Sequence, residues 1–510
     1  MRNILKKFLY LNIIIWLGNY YYAQNNINQS IPQILPTSPD VKALARYGTI
    51  PIGLATGVPD ISIPFYSIKS GNLDFPISLS YHASGIKVRD IASVAGLGWS
   101  LNYGGVIAKI NMGKPDEMNL PYHNLRSALD LNTAAATCYP PNCSRGQLAI
   151  DFHSLRDGYF ETESDRYVYN FAGHNGAFRY DVNGNMHKVP YSPIAISKKY
   201  LNNSSNSDFY YEIIDESGNK FEFKEKEYTT VPGMTSVSAY HLTKIIPSNS
   251  EDEINFYYSN KNENILELFQ TNTITAGNKI DAQISNAGYV FGNPYYDVSE
   301  NVSNNLITSQ PKHLDSIVSN NTVIKFDYLA DRQDGRKIRI SKIQVINKFT
   351  NEMIKKMELE QSYFGMTQSH TLRLKLDGIN IYGRNFSQPE HYFFDYNTMI
   401  EAPGYYYIQG YNYPGSYNGY PLYIQEDYWG YYNAGKAKVP SEFCNDLPNG
   451  YASMYCGDMN PKETLMKSYI INTIHYPTGG KTEFEFEANR TTNPNFYIYI
   501  LTKLMQIMVL

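Results

Sequence analysis

Charge is scarce in this chain, and what charge there is does not cluster. Asp, Glu, Lys and Arg make up 18% of 510 residues, the net charge is -4, and no basic tract interrupts the spread. The electrostatic footprint of a nucleic-acid binder is therefore missing, and no nucleic-acid partner is expected. Long amphipathic helical patterns are scarce too. No Gly-x-Ser-x-Gly elbow, phosphate loop or His-Glu-x-x-His pair occurs. The ten histidines, His82 and His241 among them, are scattered without ligand spacing. These residues lead us to expect no cofactor, no metal and no enzymatic activity.

Cysteine is limited to four residues. Cys138 and Cys143 flank Tyr-Pro-Pro-Asn, and Cys444 and Cys456 bracket a loop rich in Pro, Gly and Asn. Four cysteines allow three pairings. Joining Cys138 to Cys143 and Cys444 to Cys456 closes two short loops, and these are the expected disulfides. Free thiols and a zinc site are the alternatives; the Cys-x4-Cys and Cys-x11-Cys spacings match no common zinc framework.

Aromatic residues, by contrast, are abundant: 47 Tyr and 23 Phe. Tyr suits a strand with one wet face, because its ring packs while its hydroxyl reaches water. Asn beside Gly or Ser supplies turns. The expected fold is all-β, a large assembly of antiparallel hairpins with minor short helices.

The N-terminus reads as a secretory signal over residues 1–23. Arg2, Lys6 and Lys7 precede a short apolar core, and Ala23 precedes the expected cut. The chain is therefore expected to be secreted or at the cell surface. The apolar run is short for a membrane span, and no other stable span is expected. Residues 24–36 read as a disordered leader. Residues 37–487 form the β-rich body, with loop-rich insertions at 112–150 and 400–460 and one short helix expected near 123–131. Residues 488–510 are atypical: 495–510 are apolar without turns, and the expectation is a truncated or frame-shifted tail.

Within the body, Ser38-Pro-Asp-Val-Lys-Ala-Leu-Ala-Arg-Tyr-Gly48 predicts a helix of about two turns. Its Val41, Leu44 and Ala45 would pack inward. Ile61, Ile63 and Phe65, then Leu73, Phe75, Ile77, Leu79 and Tyr81, alternate with polar residues or Pro as half-buried strands do. Pro64 and Pro76 cannot donate ladder hydrogen bonds and are expected at an edge or bulge. Gly96 and Gly98 permit close approach around Trp99, which with Leu101 is expected to anchor the core.

A unit then recurs: an apolar pair spaced i, i+3, a turn, and an aromatic strand. Leu242 and Ile245 precede Phe256 and Tyr258. Leu314 and Ile317 precede Phe326 and Tyr328. Ile340 and Ile343 precede Met357 and Leu359. Leu376 and Ile379 precede Phe394 and Tyr396. Ile471 and Ile474 precede Phe484 and Phe486. Irregular spacing argues against a tight solenoid and for a hairpin array.

Three stretches invite chemistry. Glu161 and Glu163, with Asp165, would share a strand face about 7 Å apart, as paired carboxylates of a glycoside hydrolase can; a solvated face is the commoner outcome. Asp181-Val-Asn-Gly184 hints at calcium but lacks the EF-hand spacing, so a turn is expected. Residues 405–432 hold eleven tyrosines and one tryptophan. Tyr405, Tyr406, Tyr407, Tyr411, Tyr413, Tyr428 and Trp429 are the candidate ligand surface, suited to a glycan or a cell-surface partner.

Three blocks carry a resemblance. Gly57-Val-Pro-Asp-Ile-Ser-Ile-Pro, Ile77-Ser-Leu-Ser-Tyr-His-Ala-Ser-Gly-Ile86 and Gly96-Leu-Gly-Trp-Ser-Leu101 together resemble the opening of the large secreted RHS/YD-repeat proteins of Bacteroidetes. The same block is similar to the Salmonella plasmid virulence protein B domain, found in the B component of insecticidal Tc toxins. Gln425-Glu-Asp-Tyr-Trp-Gly-Tyr-Tyr-Asn433 and Tyr476-Pro-Thr-Gly-Gly-Lys-Thr-Glu-Phe-Glu-Phe486 extend the resemblance. It implies a hollow β cocoon of strand–turn–strand repeats, with downstream repeats or a C-terminal toxin domain as partners within one protein. The chain departs from the pattern in lacking a long run of Tyr-Asp repeats and a toxin domain after residue 487. The resemblance carries over no catalytic residue.

Overall fold

The computed structural model describes residues 37–488 except 50–52, 54, 55, 72, 113, 114, 117–163, 182, 202–207, 286, 287, 366–371, 385–387, 399–424, 436–438 and 441–455. Twenty-four strands and two short helices are described, and the fold is all-β as the composition implies. Helix α1 spans Pro39–Thr49, with Pro39 at its first position and Asp40 in its first turn. Both choices suit a helix start, where N–H groups are unpaired and the dipole favours an anion. The helix runs through Gly48, where the sequence suggests a stop, and so is a turn longer than expected.

The first sheet has the order β1-β2-β3, from β1 (Asp60–Ser70), β2 (Leu73–His82) and β3 (Trp99–Asn102). On β1, Ile61, Ile63 and Phe65 are buried, and then the phase changes to Ile68. The change coincides with a bulge between Pro64 and Tyr66, where the ladder could not use the proline nitrogen anyway. Pro76 lies on the middle strand, opposite Ser67. It is tolerated because β3 pairs only with Ser78 to Tyr81, which leaves one side of Pro76 without a neighbour.

Nineteen further strands belong to one continuous sheet. Its centre is β11 (Met234–Ile246), which pairs along one edge with β10 (Lys220–Val231). Its other edge meets β4 (Gly105–Ile110) at Ala239 to His241 and β12 (Ile254–Ser259) at Lys244 and Ile245. From β4 the sheet continues to β5 (Arg166–Phe171), β6 (His174–Tyr180) and β7 (Met186–Val189). From β10 it continues to β9 (Phe209–Ile214) and β8 (Ala195–Tyr200). A long hairpin, β13 (Ile265–Ser285) with β14 (Gly288–Gln310), joins β10 through Thr308 to Gln310.

From β12 the ladder runs through β15 (His313–Val318), β16 (Thr322–Leu329), β17 (Arg339–Asn347), β18 (Met353–Phe364), β19 (Arg373–Tyr382), β20 (Glu390–Tyr396), β23 (Ile471–His475) and β24 (Lys481–Glu483). Within 436–457, read as loop from sequence, β21 (Val439–Pro440) and β22 (Cys456–Gly457) form a two-stranded parallel pair. Helix α2 is Glu463–Met466.

The recurrent unit is a hairpin each time, and every apolar pair is buried. Strand side chains alternate, so i and i+3 should face opposite ways. A bulge resolves the conflict. In each copy the residue after the first apolar one has no cross-strand partner: Thr243, Asp315, Ser341, Asp377 and Asn472. That extra residue returns the second apolar side chain to the core.

The bulges fix one register at five junctions. Phe221, Phe256, Phe326, Leu359 and Phe394 lie opposite the Ile of the next strand. Phe223, Tyr258, Tyr328, Gln361 and Tyr396 lie opposite its first Leu or Ile. The third copy is therefore phased on Leu359 and Gln361, two residues later than sequence alone suggests. Tyr258, Tyr328 and Tyr396 each donate their hydroxyl to the first Leu carbonyl of their own hairpin, Leu242, Leu314 and Leu376, at 2.8, 2.9 and 2.6 Å. Each carbonyl sits at the bulge, where the ladder is broken.

One core cluster joins the inner faces of both sheets. Helix α1 covers the other face of the large sheet, where Val41 and Leu44 pack with Val106, Ala108, Val168, Ala177 and Ala239. Strand β4 is thus buried on both faces.

Candidate functional site

The Gly96–Trp99 turn is where the first sheet meets the hairpin array. Ser93 shapes it: its hydroxyl lies 2.6 Å from the Trp99 carbonyl and accepts the Ala95 N–H at 3.1 Å. Gly98 has φ +79°, and a Cβ there would lie 2.4 Å from the Tyr81 ring. Gly96 has φ +144°, and a Cβ would come within 3.0 Å of the Leu376 nitrogen. Both positions therefore need glycine for conformation and for space. Leu97 N–H donates to the Leu374 carbonyl of β19 at 2.8 Å.

Trp99 is fully buried. Its ring packs on Phe394 at 4.6 Å and edge-on to Tyr81 at 5.3 Å. Its Nε1–H donates to the Tyr396 hydroxyl at 2.7 Å, and that hydroxyl donates onward to Leu376. Burial pushes the Tyr396 hydroxyl well above its ordinary pKa, against the opposing effect of the Trp99 hydrogen bond. It is held as a hydrogen-bond donor to the Leu376 carbonyl. The Tyr81 hydroxyl accepts the Ile471 N–H at 3.1 Å. Trp99 therefore ties β3 to β20 and, through the Tyr396 hydroxyl, to β19, while Tyr81 ties β2 to β23.

Beside the turn, a small recess is lined by Lys42, Arg46, His82, Asp90, Ser93 and Trp99. Its charges are engaged: Arg46 pairs with Asp90 at 2.5 Å, and His82 Nδ1 meets the Ser84 hydroxyl at 2.9 Å. A second buried group sits under helix α1. Arg336 reaches Asp40 at 2.8 Å and Glu263 at 2.8 Å, and Glu263 meets His313 at 2.8 Å. Burial alone would raise both carboxyls. The Arg336 charge and hydrogen bonds outweigh it and hold Asp40 and Glu263 below the carboxylate range, with His313 adding to the effect at both. Backbone N–H groups of Lys337 and Ile338 also donate to Glu263. This satisfied network clamps α1 to the array.

A third cluster is the turn at Asp427. Its Oδ1 accepts the Trp429 and Tyr431 N–H groups at 2.8 and 2.9 Å. The turn docks on residues 84–90: Val88 N–H donates to the Gly430 carbonyl, Arg89 grips Glu426, and the Tyr431 hydroxyl donates to the Ser84 carbonyl. Trp429 stands at the tip, 51% exposed. Tyr428 is half-buried.

The remaining candidate tyrosines, Tyr405, Tyr406, Tyr407, Tyr411 and Tyr413, lie outside the described residues. So do Glu161, Glu163, Cys138, Cys143 and Cys444, residues 1–36 and 489–510, the helix expected near 123–131, and the side chain of Cys456. Asp165 is buried and paired with Lys109 at 2.9 Å. Asp181 accepts the Asn183 and Asn185 N–H groups and its carbonyl accepts the Gly184 N–H, the architecture of a turn. His241 meets Glu227 at 3.3 Å. Among the described residues no three His, Cys, Asp or Glu groups converge as metal ligands. Sequence reasoning missed the roles of Asp40, Glu263 and Arg336, and it named Tyr396 only as an aromatic of the recurrent unit. The charged run Arg332-Gln-Asp-Gly-Arg336, set between two strands, was the available signal.

No family model matches the chain, and no curated protein matches it. Among solved structures it is similar to the N-terminal domain of the effector protein SpvB from Salmonella typhimurium strain LT2. The TM-score is 0.35 and the identity 11%, over 63% of this chain and 98% of that one.

Proposed function

We propose that this chain is a non-enzymatic structural segment: a wall of β hairpins, exported from the cell, that serves encapsulation, surface display or contact between cells. The observation that carries this reading is the junction register, repeated five times along one sheet. Its inward positions, Gln361 of the third copy apart, hold packed apolar and aromatic side chains. The RHS/YD-repeat resemblance of residues 57–105 supplies the context, with further repeats or a toxin domain of the same protein as partners. Fractionating cells that produce the full chain, with protease added to intact cells, tests the exported role. Recovery in the medium or in a protease-sensitive surface fraction supports it. Retention inside protease-resistant cells overturns it.

A second reading is a module that binds a glycan or a surface partner. The exposed Trp429, held on an ordered turn, favours it, since aromatic faces stack on sugar rings. On a glycan array, binding lost in Trp429→Ala supports this reading, and no binding by the intact chain counts against it.

A further inference from the structure

We propose that Arg166 and Arg179 form a binding site for a tetrahedral oxyanion, phosphate or sulfate, on the face of the large sheet that carries α1. The inference rests on pairing register and charge, not on export or on the wall's role. The ladder sets four residues side by side: Ile110 of β4 opposite Arg166 of β5, Arg166 opposite Arg179 of β6, and Arg179 opposite His187 of β7. Strand alternation puts this row one step beyond Ala108, Val168 and Ala177, which pack with Val41 and Leu44 of α1. Directly opposed side chains start about 4.5–5.5 Å apart at Cβ, and like charges so placed repel. Two facing arginines therefore cost stability unless a negative group lies between them.

Among the described residues no side chain supplies that group, and neither arginine makes an ion pair or hydrogen bond. Both are half-buried. Asp181, two residues beyond Arg179, is committed to the turn that follows β6. Its Oδ1 accepts the Asn183 and Asn185 N–H groups at 2.9 and 2.7 Å. Its Oδ2 accepts the Asn185 side-chain amide at 3.1 Å and meets His187 Nε2 at 3.0 Å. The nearest acid before Arg166 in sequence is Asp165, which is buried against Lys109. The chemistry of the guanidinium then selects the ligand. Each one offers parallel N–H groups that match a pair of oxygens. A carboxylate has only two oxygens, which one arginine satisfies. A tetrahedral oxyanion presents a pair to each arginine and bridges both. Two arginines are far short of a basic tract, so the ligand is a single oxyanion group, free or carried as an ester on a glycan.

Isothermal titration calorimetry on the full chain tests the site. The probes are sodium sulfate, sodium phosphate and a sulfated disaccharide, with sodium chloride at equal ionic strength and the unsulfated disaccharide as references. At least one probe should bind, and Arg166→Gln and Arg179→Gln should each weaken it at least tenfold. Melting in chloride alone reports that the variants fold. Each should match or exceed the parent, because removing one arginine relieves the repulsion. Tighter binding of the sulfated disaccharide than of sulfate supports the site with the oxyanion on a glycan, and the reverse supports it with the free ion as ligand. No binding of any probe by the intact chain overturns the proposal, as does binding that both variants retain. A melting temperature that falls in chloride in both variants also overturns it, because the arginines would then be holding the fold rather than awaiting an anion.

Discussion

Along the ladder from β10 to β23 one register recurs at five junctions, whereas the sheet β1-β2-β3 is anchored to that ladder at one turn, Gly96–Trp99. The array is specified many times over: ten buried Leu and Ile residues, five bulges and three tyrosine hydroxyls do the same work at successive positions. The first sheet depends on single features: one tryptophan and the two glycines beside it. Damage at one array junction should therefore stay modest and local. Damage at the Trp99 turn should be large, because nothing duplicates it.

The largest expected effect is Trp99→Ala. Loss of a fully buried ring that packs on Phe394 and Tyr81 should cost about 3–5 kcal/mol in denaturant unfolding. A near-native midpoint would remove the asymmetry between the two regions. Gly98→Ala comes next, at about 1–3 kcal/mol, because it combines a positive φ with a Cβ driven into Tyr81. Calorimetry of that variant checks it.

The clamp under α1 makes a pH prediction. Asp40 and Glu263 have folded pKa values below their unfolded ones, so their contribution is complete above the ordinary carboxylate range near pH ~4. It drains as pH falls below that range toward the folded values. Melting temperature followed from pH 6 to pH 2 should fall less steeply in Glu263→Gln than in the parent chain. Equal slopes would mean that the clamp does not hold the helix. The smallest effect is Tyr328→Phe, which removes one hydroxyl from the Leu314 carbonyl at a bulge and should cost about 0.5–1.5 kcal/mol. A loss as large as that of Trp99→Ala would show that the array is no more redundant than the first sheet.

The hairpins were legible because strand period and turn chemistry are local. Ile61 to Tyr81 and the recurrent Leu-x-x-Ile units could be read without the fold. The bulges were less legible, since an i, i+3 pair looks like a lapse of alternation until the partner strand is known. That is why the third copy was phased two residues early, on Met357 and Leu359 instead of Leu359 and Gln361. The tie from Trp99 to Tyr396 spans 297 positions, and no local pattern encodes it. Asp40 and its partner Arg336 are equally remote, 296 positions apart. Composition flagged the Tyr-rich stretch as a surface, but at its described end Asp427 and Tyr431 are spent on the turn itself, which leaves Trp429 as the exposed ring.

The central claim is that one extra residue per hairpin sets which side chains face the core. Denaturant unfolding of a chain lacking Ser341 tests it most directly. Without that residue the bulge closes, the register slips, and either Ile340 or Ile343 must leave the core. The expected loss is roughly 1.5–3 kcal/mol, the contribution of one buried isoleucine. Stability within about 0.5 kcal/mol of the intact chain, the range of ordinary surface changes, would contradict it.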